Sequence, residues 1–179
     1  MSTTQKTPTT TTAAHATQEA ALFARLAALN IAFAVHRHPP LRTVEESQRL
    51  RGDLPGWHIK NLFLCDNKRR FYLLTAREDL PINLKSLGAQ LGAQGRLRFA
   101  SAEALLEVLG VLPGAVTPLA VMNDPSQKVS IALDRALTQD LAATLHAHPL
   151  HNEATITLSA RDLLTFLADC AHSPTLLDL

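Results

Sequence analysis

A mixed α/β domain is the fold class that this sequence predicts, on three observations. Two apolar runs flank Asp66-Asn67-Lys68 in the manner of an antiparallel hairpin. Leu22, Phe23, Leu26 and Leu29 carry the spacing of an amphipathic helix. Strand-like and helix-like segments then succeed one another without the regular alternation of a purely parallel sheet.

Residues 1–17 are rich in Thr and lack apolar periodicity, which predicts a disordered tail ahead of a single domain over 18–179. The first helix is expected from about Gln18 to Leu29, followed by a strand over Ile31 to Val35. Thr43-Val-Glu-Glu46 has the form of a capping box and opens a helix to about Leu50. Gly52, Pro55 and Gly56 mark 51–57 as a loop. Asn61 to Cys65 and Phe71 to Thr75 are the hairpin strands, and a helix runs from Asn83 or Leu84 to Leu91. Leu97 to Ala100 reads as a short strand, and Ser101 is placed to cap a helix that ends near Leu109. The turn Asn123-Asp-Pro-Ser126 joins a strand over Leu119 to Met122 with one over Val129 to Leu133. A helix is expected over Arg135 to Leu145 and a strand over Thr155 to Leu158. Ser159 then caps a last helix from Ala160 to about Asp169.

The 179-residue chain is 46% hydrophobic, enough to bury one substantial core. Aromatic residues make up 4%, so Leu, Ala and Val must fill most of it. A net charge of +1 excludes a general polyanion binder, because non-specific nucleic-acid affinity grows with the number of phosphates neutralised. Lys68-Arg69-Arg70, with Arg96 and Arg98, is a local exception: a solvated hairpin tip or a set of phosphate contacts. Cys65 and Cys170 lie far apart and suggest neither a disulfide framework nor a CxxC metal site. No secretory h-region or membrane-length apolar run is present, so a cytoplasmic protein without a membrane partner is expected. The sequence does not fix the oligomeric state, and a monomer is the default expectation.

Three segments carry candidate chemistry. Gly110-Val-Leu-Pro-Gly-Ala-Val-Thr-Pro118 has two glycines and two prolines in nine residues. Such a loop is stiff at its prolines and open to close approach at its glycines, so its N–H groups can face a carbonyl or an oxyanion. It also fits a helix stop with two ordinary turns. Lys60 and Asn61 stand at the mouth of an apolar strand, where a lysine is either solvated or held over a pocket. By alternation the two side chains take opposite faces, and Asn61 is the weaker candidate. His148-Pro-Leu-His-Asn152 is the third segment. The run His146-x-His148-x-x-His151 is a poor metal site, because Pro149 separates His151 and no cysteine or acidic cluster completes a shell. His146 and His151 read as surface groups. A covalent route is disfavoured: there is no Gly-x-Ser-x-Gly elbow, Cys65 closes an apolar strand, and no base neighbours Thr117.

In order and spacing these segments resemble the YbaK-like aminoacyl-tRNA editing family, which includes the insertion domain of bacterial prolyl-tRNA synthetases. The likeness runs from about Ala20 to the C-terminus and is closest to the free-standing Ala-tRNA(Pro) deacylases. It takes in His38-Pro-Pro-Leu-Arg-Thr-Val-Glu-Glu46, Asp53-Leu-Pro-Gly56 and Asp162-Leu-Leu-Thr-Phe-Leu167. The resemblance implies a central mixed, mostly antiparallel sheet or partial barrel surrounded by helices. It also implies a hydrolase that clears alanine from the acceptor end of tRNA(Pro), using water and no cofactor or metal. A prolyl-tRNA synthetase partner is left open.

By that resemblance Lys60 positions the ester, His148 orients substrate or water, and the backbone around Gly114 cradles the ester. Asn61, Leu62, Gly110, Pro113, Ala115, Val116, Thr117, Pro118 and Asn152 are the implied substrate-binding residues. Leu62 and Val116 would set pocket size. The alternatives are the same fold acting on Cys-, 2-aminobutyryl- or Ser/Thr-charged tRNA, and a non-catalytic module that binds tRNA ends or a synthetase. One departure stands out: the family's Gly-His-x-Pro ending reads Ala171-His172-Ser-Pro174 here, which puts alanine where a left-handed residue is expected.

Overall fold

The computed structural model describes residues 9–40 and 55–179, with side chains in the first helix from Ala14 onward. In chain order the elements are α1 (Thr9–Ala28), β1 (Ala34–Arg37), β2 (Trp57–Cys65), β3 (Phe71–Arg77), α2 (Leu84–Gln90), β4 (Arg98–Phe99) and α3 (Ala102–Leu109). They continue with β5 (Val129–Asp134), β6 (Thr144–Ala147), β7 (Ala154–Ser159), α4 (Ala160–Asp169) and β8 (Thr175–Leu177). The strands form one eight-stranded sheet in the order β1-β7-β6-β2-β3-β5-β8, with β4 also on β2. The pairs β1–β7, β6–β7, β2–β3 and β2–β4 are antiparallel, whereas β2–β6, β3–β5 and β5–β8 are parallel. This is the mixed sheet with flanking helices that the sequence predicts.

Period-two alternation sends successive side chains to two apolar layers. Phe63, Leu73, Ile131 and Ile156 pack with Leu22 and Leu26 of α1, Leu105 and Leu109 of α3, and Leu163 and Phe166 of α4. Leu64, Leu74 and Ala132 pack on the other face with Leu87 of α2 and Leu97. The hairpin closes as Asp66 Oδ1 accepts the N–H groups of Lys68 and Arg70 at 2.8 and 3.0 Å. Ser101 and Ser159 cap α3 and α4 as expected, and Asn83 caps α2.

Several boundaries differ from expectation. Helix α1 begins at Thr9, so residues 9–17 are helical rather than tail; alanines at 13, 14 and 16 favour that extension. Ile31 is buried beneath the turn after α1, and the strand starts later, at Ala34. Leu119 to Met122 is not a strand but part of a 3-10 helix, Pro118–Asn123. Pro118 presets its first residue, Thr117 caps it, and burial of Leu119, Ala120 and Val121 explains the unbroken apolar run. The helix expected over 135–145 is a 3-10 turn, Arg135–Thr138, followed by β6. Asp140 interrupts it by accepting the Ala142 N–H at 2.9 Å. Strand β8 was not anticipated. The helix expected over 43–50 lies outside the described residues, as does most of the 51–57 loop. Ala171 adopts the left-handed conformation (φ 58°), so alanine keeps the turn where glycine was expected. No helix among the described residues is long and apolar enough to cross a membrane.

Candidate active site

Strand β2 is covered unevenly. On one side β3 pairs with it from Ile59 to Cys65. On the other side β6 pairs only Trp57 and His58, and β4 only Leu64 and Cys65. Among the described residues, no strand covers that side from Ile59 to Leu62, and the Phe63 carbonyl accepts the Ala100 N–H at 3.0 Å. An uncovered strand edge offers unpaired N–H and C=O groups to a ligand. Lys60 and Asn61 stand on this segment.

Pleating separates them. Asn61 lies on the face of Ile59 and Phe63, and its Nδ2 donates to the Val116 carbonyl at 3.0 Å. Its Oδ1 accepts from the Thr75 hydroxyl at 2.7 Å on the paired strand, which fixes the amide's orientation. Lys60 takes the opposite face, and its ammonium donates to the Leu80 carbonyl ahead of α2. Asn61, and not Lys60, therefore touches the 110–118 loop. Leu62 also departs from expectation, because it packs into the α2-side layer rather than toward that loop.

The loop itself is shaped by its glycines. Gly110 ends α3 in the left-handed region (φ 67°) and donates to the Leu106 carbonyl. Gly114 (φ 87°) is exposed, and a Cβ there would lie 3.6 Å from Asn152 Nδ2. Pro113 is exposed and Val116 half-buried, whereas Ala115, Thr117 and Pro118 are buried. The Ala115 N–H is bound to the Leu112 carbonyl at 3.0 Å, and the Thr117 hydroxyl faces the Leu119 N–H. The side chains of Ala115, Thr117 and Pro118 therefore hold the loop's shape and do not reach its surface. Among the described residues, the N–H groups of Gly114 and Val116 have no protein acceptor.

His148 follows β6. Its Nδ1 lies 3.1 Å from the Ala154 carbonyl, so Nδ1 carries the proton and Nε2 keeps a lone pair. Burial pushes its pKa below the ordinary histidine value, with the Ala154 bond opposing and the nearby histidines His38 and His151 adding to the shift. Leu150 is buried in the left-handed region (φ 71°), a strained conformation that the core imposes on this turn. His146 and His151 are buried, contrary to expectation. His146 stacks on His58 at 4.4 Å and bonds the Pro55 carbonyl, while His151 bonds Glu19 of α1. Sequence spacing could not reveal this, because Glu19 lies 132 positions away. Thr75 was missed for the same reason: only strand register sets it opposite Asn61.

His15, His151 and Glu153 bring ligand-type atoms within 4.8 Å of one another. The His15 and His151 rings are stacked at 5.4 Å and 11°, so their lone pairs run parallel rather than converge. Both ring nitrogens of His151 already have partners, Glu19 Oε1 at 2.9 Å and the Glu153 N–H at 3.2 Å. That arrangement fits a hydrogen-bonded cluster better than a metal shell. Cys65 and Cys170 are free and buried, and burial pushes the Cys170 thiol up to about 11, away from nucleophilic chemistry.

A model of the aminoacyl-tRNA editing domain matches residues 38–166, a span that holds every group just described except Cys170 and those on α1. The chain belongs to the aminoacyl-tRNA editing family. The prolyl-tRNA synthetase associated domain-containing protein 1 of Bos taurus is 44% identical over 161 residues, covering 89% of this chain and 94% of that protein. The prolyl-tRNA editing protein ProX of Acetoanaerobium sticklandii is 36% identical over 144 residues, 80% of this chain and 86% of its own. A solved structure described as a candidate trans-editing enzyme for prolyl tRNA synthetase matches with a TM-score of 0.67 at 21% identity. It covers 97% of this chain and 98% of its own, and at that identity it shows the fold. In this editing domain, then, the uncovered β2 edge, the glycine loop and the His148 turn form the candidate active site.

Proposed function

We propose that this editing domain works in trans as an ester hydrolase, clearing alanine from mischarged Ala-tRNA(Pro). The observation that carries this reading is the clamped loop at the open β2 edge, with Asn61 on the Val116 carbonyl and Asn152 beside Gly114. In this reading the Gly114 and Val116 N–H groups of the loop and the His148 imidazole of the following turn serve one ester, which gains negative charge as water attacks. The relatives named for prolyl-tRNA editing supply the tRNA.

In this reading the N–H groups of Gly114 and Val116 receive the ester oxygen, and His148 Nε2 accepts a proton from the attacking water. The bond from the carbonyl carbon to the ribose oxygen breaks, a proton passes to that oxygen, and alanine leaves. Lys60 stands on the same open strand segment but on the opposite face, bound to the Leu80 carbonyl; its proposed part in positioning the ester requires the ammonium to leave that carbonyl and cross the uncovered edge, and the Lys60→Ala variant tests it. Selection against a smaller amino acid is weak in a synthetase, since a missing methylene is worth about 1–3 kcal/mol. A second, small site that admits alanine and excludes the proline ring supplies the difference. Val116, half-buried at the edge of the core, is placed to set that size.

A panel of mischarged tRNAs tests the proposal. Alanine should be released from Ala-tRNA(Pro) while Pro-tRNA(Pro) is spared, and preferential release of Cys, 2-aminobutyrate, Ser or Thr would reassign the substrate. Binding without turnover would make the chain a non-catalytic module. Lys60→Ala is expected to remain folded and lose about 100- to 1000-fold in kcat, the usual worth of one placed donor. Unchanged turnover would leave Lys60 as a structural tie to Leu80.

A further inference from the structure

Helix α1 lies outside the segment that defines the family match, yet consecutive residues of it reach both loops of the candidate site. Gln18 Nε2 donates to the Gly110 carbonyl at 3.0 Å, at the root of the glycine loop. Glu19 is buried, and both its oxygens accept from Arg37 of β1 at 2.7 Å. Its Oε1 also meets His151 Nε2 at 2.9 Å.

The consequences run through His151. A carboxylate only accepts, so His151 Nε2 must carry the proton and Nδ1 must be the acceptor. That Nδ1 receives the Glu153 N–H at 3.2 Å. The next residue is Ala154, whose carbonyl accepts from His148 Nδ1 at 3.1 Å. A carboxylate on α1 therefore fixes one imidazole, which pins the backbone that selects the tautomer of the next. Arg37 in turn holds the carboxylate in place and ionised, against a burial that would neutralise it.

We infer that Glu19, braced by Arg37, is a positioning residue for hydrolysis: through His151 and the 153–154 backbone it keeps His148 Nε2 free to accept a proton. The inference rests on the proposed role of His148. Displacements of about 1 Å in such a setting lower rate by about 100-fold, so Glu19→Ala is expected to lower kcat about 10- to 100-fold. KM should stay within about 3-fold, since no substrate contact is removed.

The experiment pairs kinetics on Ala-tRNA(Pro) with imidazole nitrogen NMR of the full chain. In the unmodified protein His148 should show the Nδ1–H tautomer; in Glu19→Ala it should shift toward Nε2–H while the melting transition stays cooperative. Glu19→Gln, whose oxygen still accepts from His151, should return part of the rate and tautomer, and it serves as the test variant should Glu19→Ala fail to fold. An unchanged His148 tautomer, or a shifted tautomer with unchanged kcat, would overturn the inference. His148→Gln separates the two readings: full activity in it would remove His148 from the proposed reaction, whereas the tautomer comparison still decides whether Glu19 controls the loop.

Discussion

His148 shows how burial sets the protonation state of a single side chain. Its folded pKa lies below the ordinary value of about 6.5, chiefly through burial, so the imidazole is neutral at pH 7. As pH falls, the unfolded chain takes up this proton first. Stability contributed here is therefore present above pH about 6.5 and is lost as pH falls toward the folded pKa. The same shift fixes the activity profile: the acid limb of kcat/KM should have its midpoint below 6.5 and should vanish in His148→Gln. A limb centred above 6.5 would contradict the role. Ala171 makes a second residue-scale test. It is exposed and left-handed, and its geometry is held by the His172 N–H on the Leu167 carbonyl at 2.9 Å. Glycine removes the Cβ penalty of about 1–2 kcal/mol and gives back part of it in chain entropy. Ala171→Gly is expected to raise stability by about 0.5–1 kcal/mol, which calorimetry would read as a melting temperature higher by roughly 1–4 °C.

Among the elements, the β2–β3 hairpin depends most on one residue. Asp66 closes its turn and also reaches the segment between α2 and β4, accepting the Gln94 N–H at 2.9 Å. Arg70 Nε lies 2.7 Å from the same carboxylate and its Nη2 reaches the Gly92 carbonyl at 2.9 Å. Burial disfavours the charged carboxylate, but the N–H groups of Gln94, Arg70 and Lys68 and the Arg70 guanidinium outweigh it and hold the group far below the usual carboxylate range. The depressed pKa sets the sign: the stabilisation is whole above pH about 4 and drains away as pH falls further. Asp66→Asn should melt several degrees lower at pH 7, with a smaller loss of stability between pH 4 and pH 2 than the unmodified chain. An equal acid response in both would exclude Asp66 as the acid-sensitive group. The same tie, with Arg98 on the Asn67 amide oxygen at 3.3 Å, brings the Lys68-Arg69-Arg70 run beside Arg96 and Arg98. Arg70 itself is held by Asp66 and serves the fold.

At the scale of the whole molecule, much of the sheet was legible. The hairpin, the caps at Ser101 and Ser159 and the amphipathic faces of α1, α3 and α4 follow from local spacing, because each buries a stripe or row set by its own periodicity. The segments that misled are those whose burial is not periodic. Leu119 to Met122 is apolar on every side, and such a run fits a strand or a buried 3-10 turn equally well. Residues 135–145 combine helical spacing with an aspartate that ends the turn early. In the candidate site the sequence singled out the loop with its glycines, Lys60, the weaker Asn61, and His148 as candidates. What could not be read was which neighbour each side chain chose.

The sequence by itself determined the mixed fold class and the editing family and singled out three candidate segments, because period, turn residues and motif spacing are properties of the linear chain. Only the tertiary structure decided that β2 is left uncovered between β6 and β4, that Asn61 meets the glycine loop while Lys60 faces Leu80, and that Glu19 bonds His151. Those outcomes depend on strand register and on contacts between residues 20, 55 and 132 positions apart, and no local pattern encodes a partner at such distances.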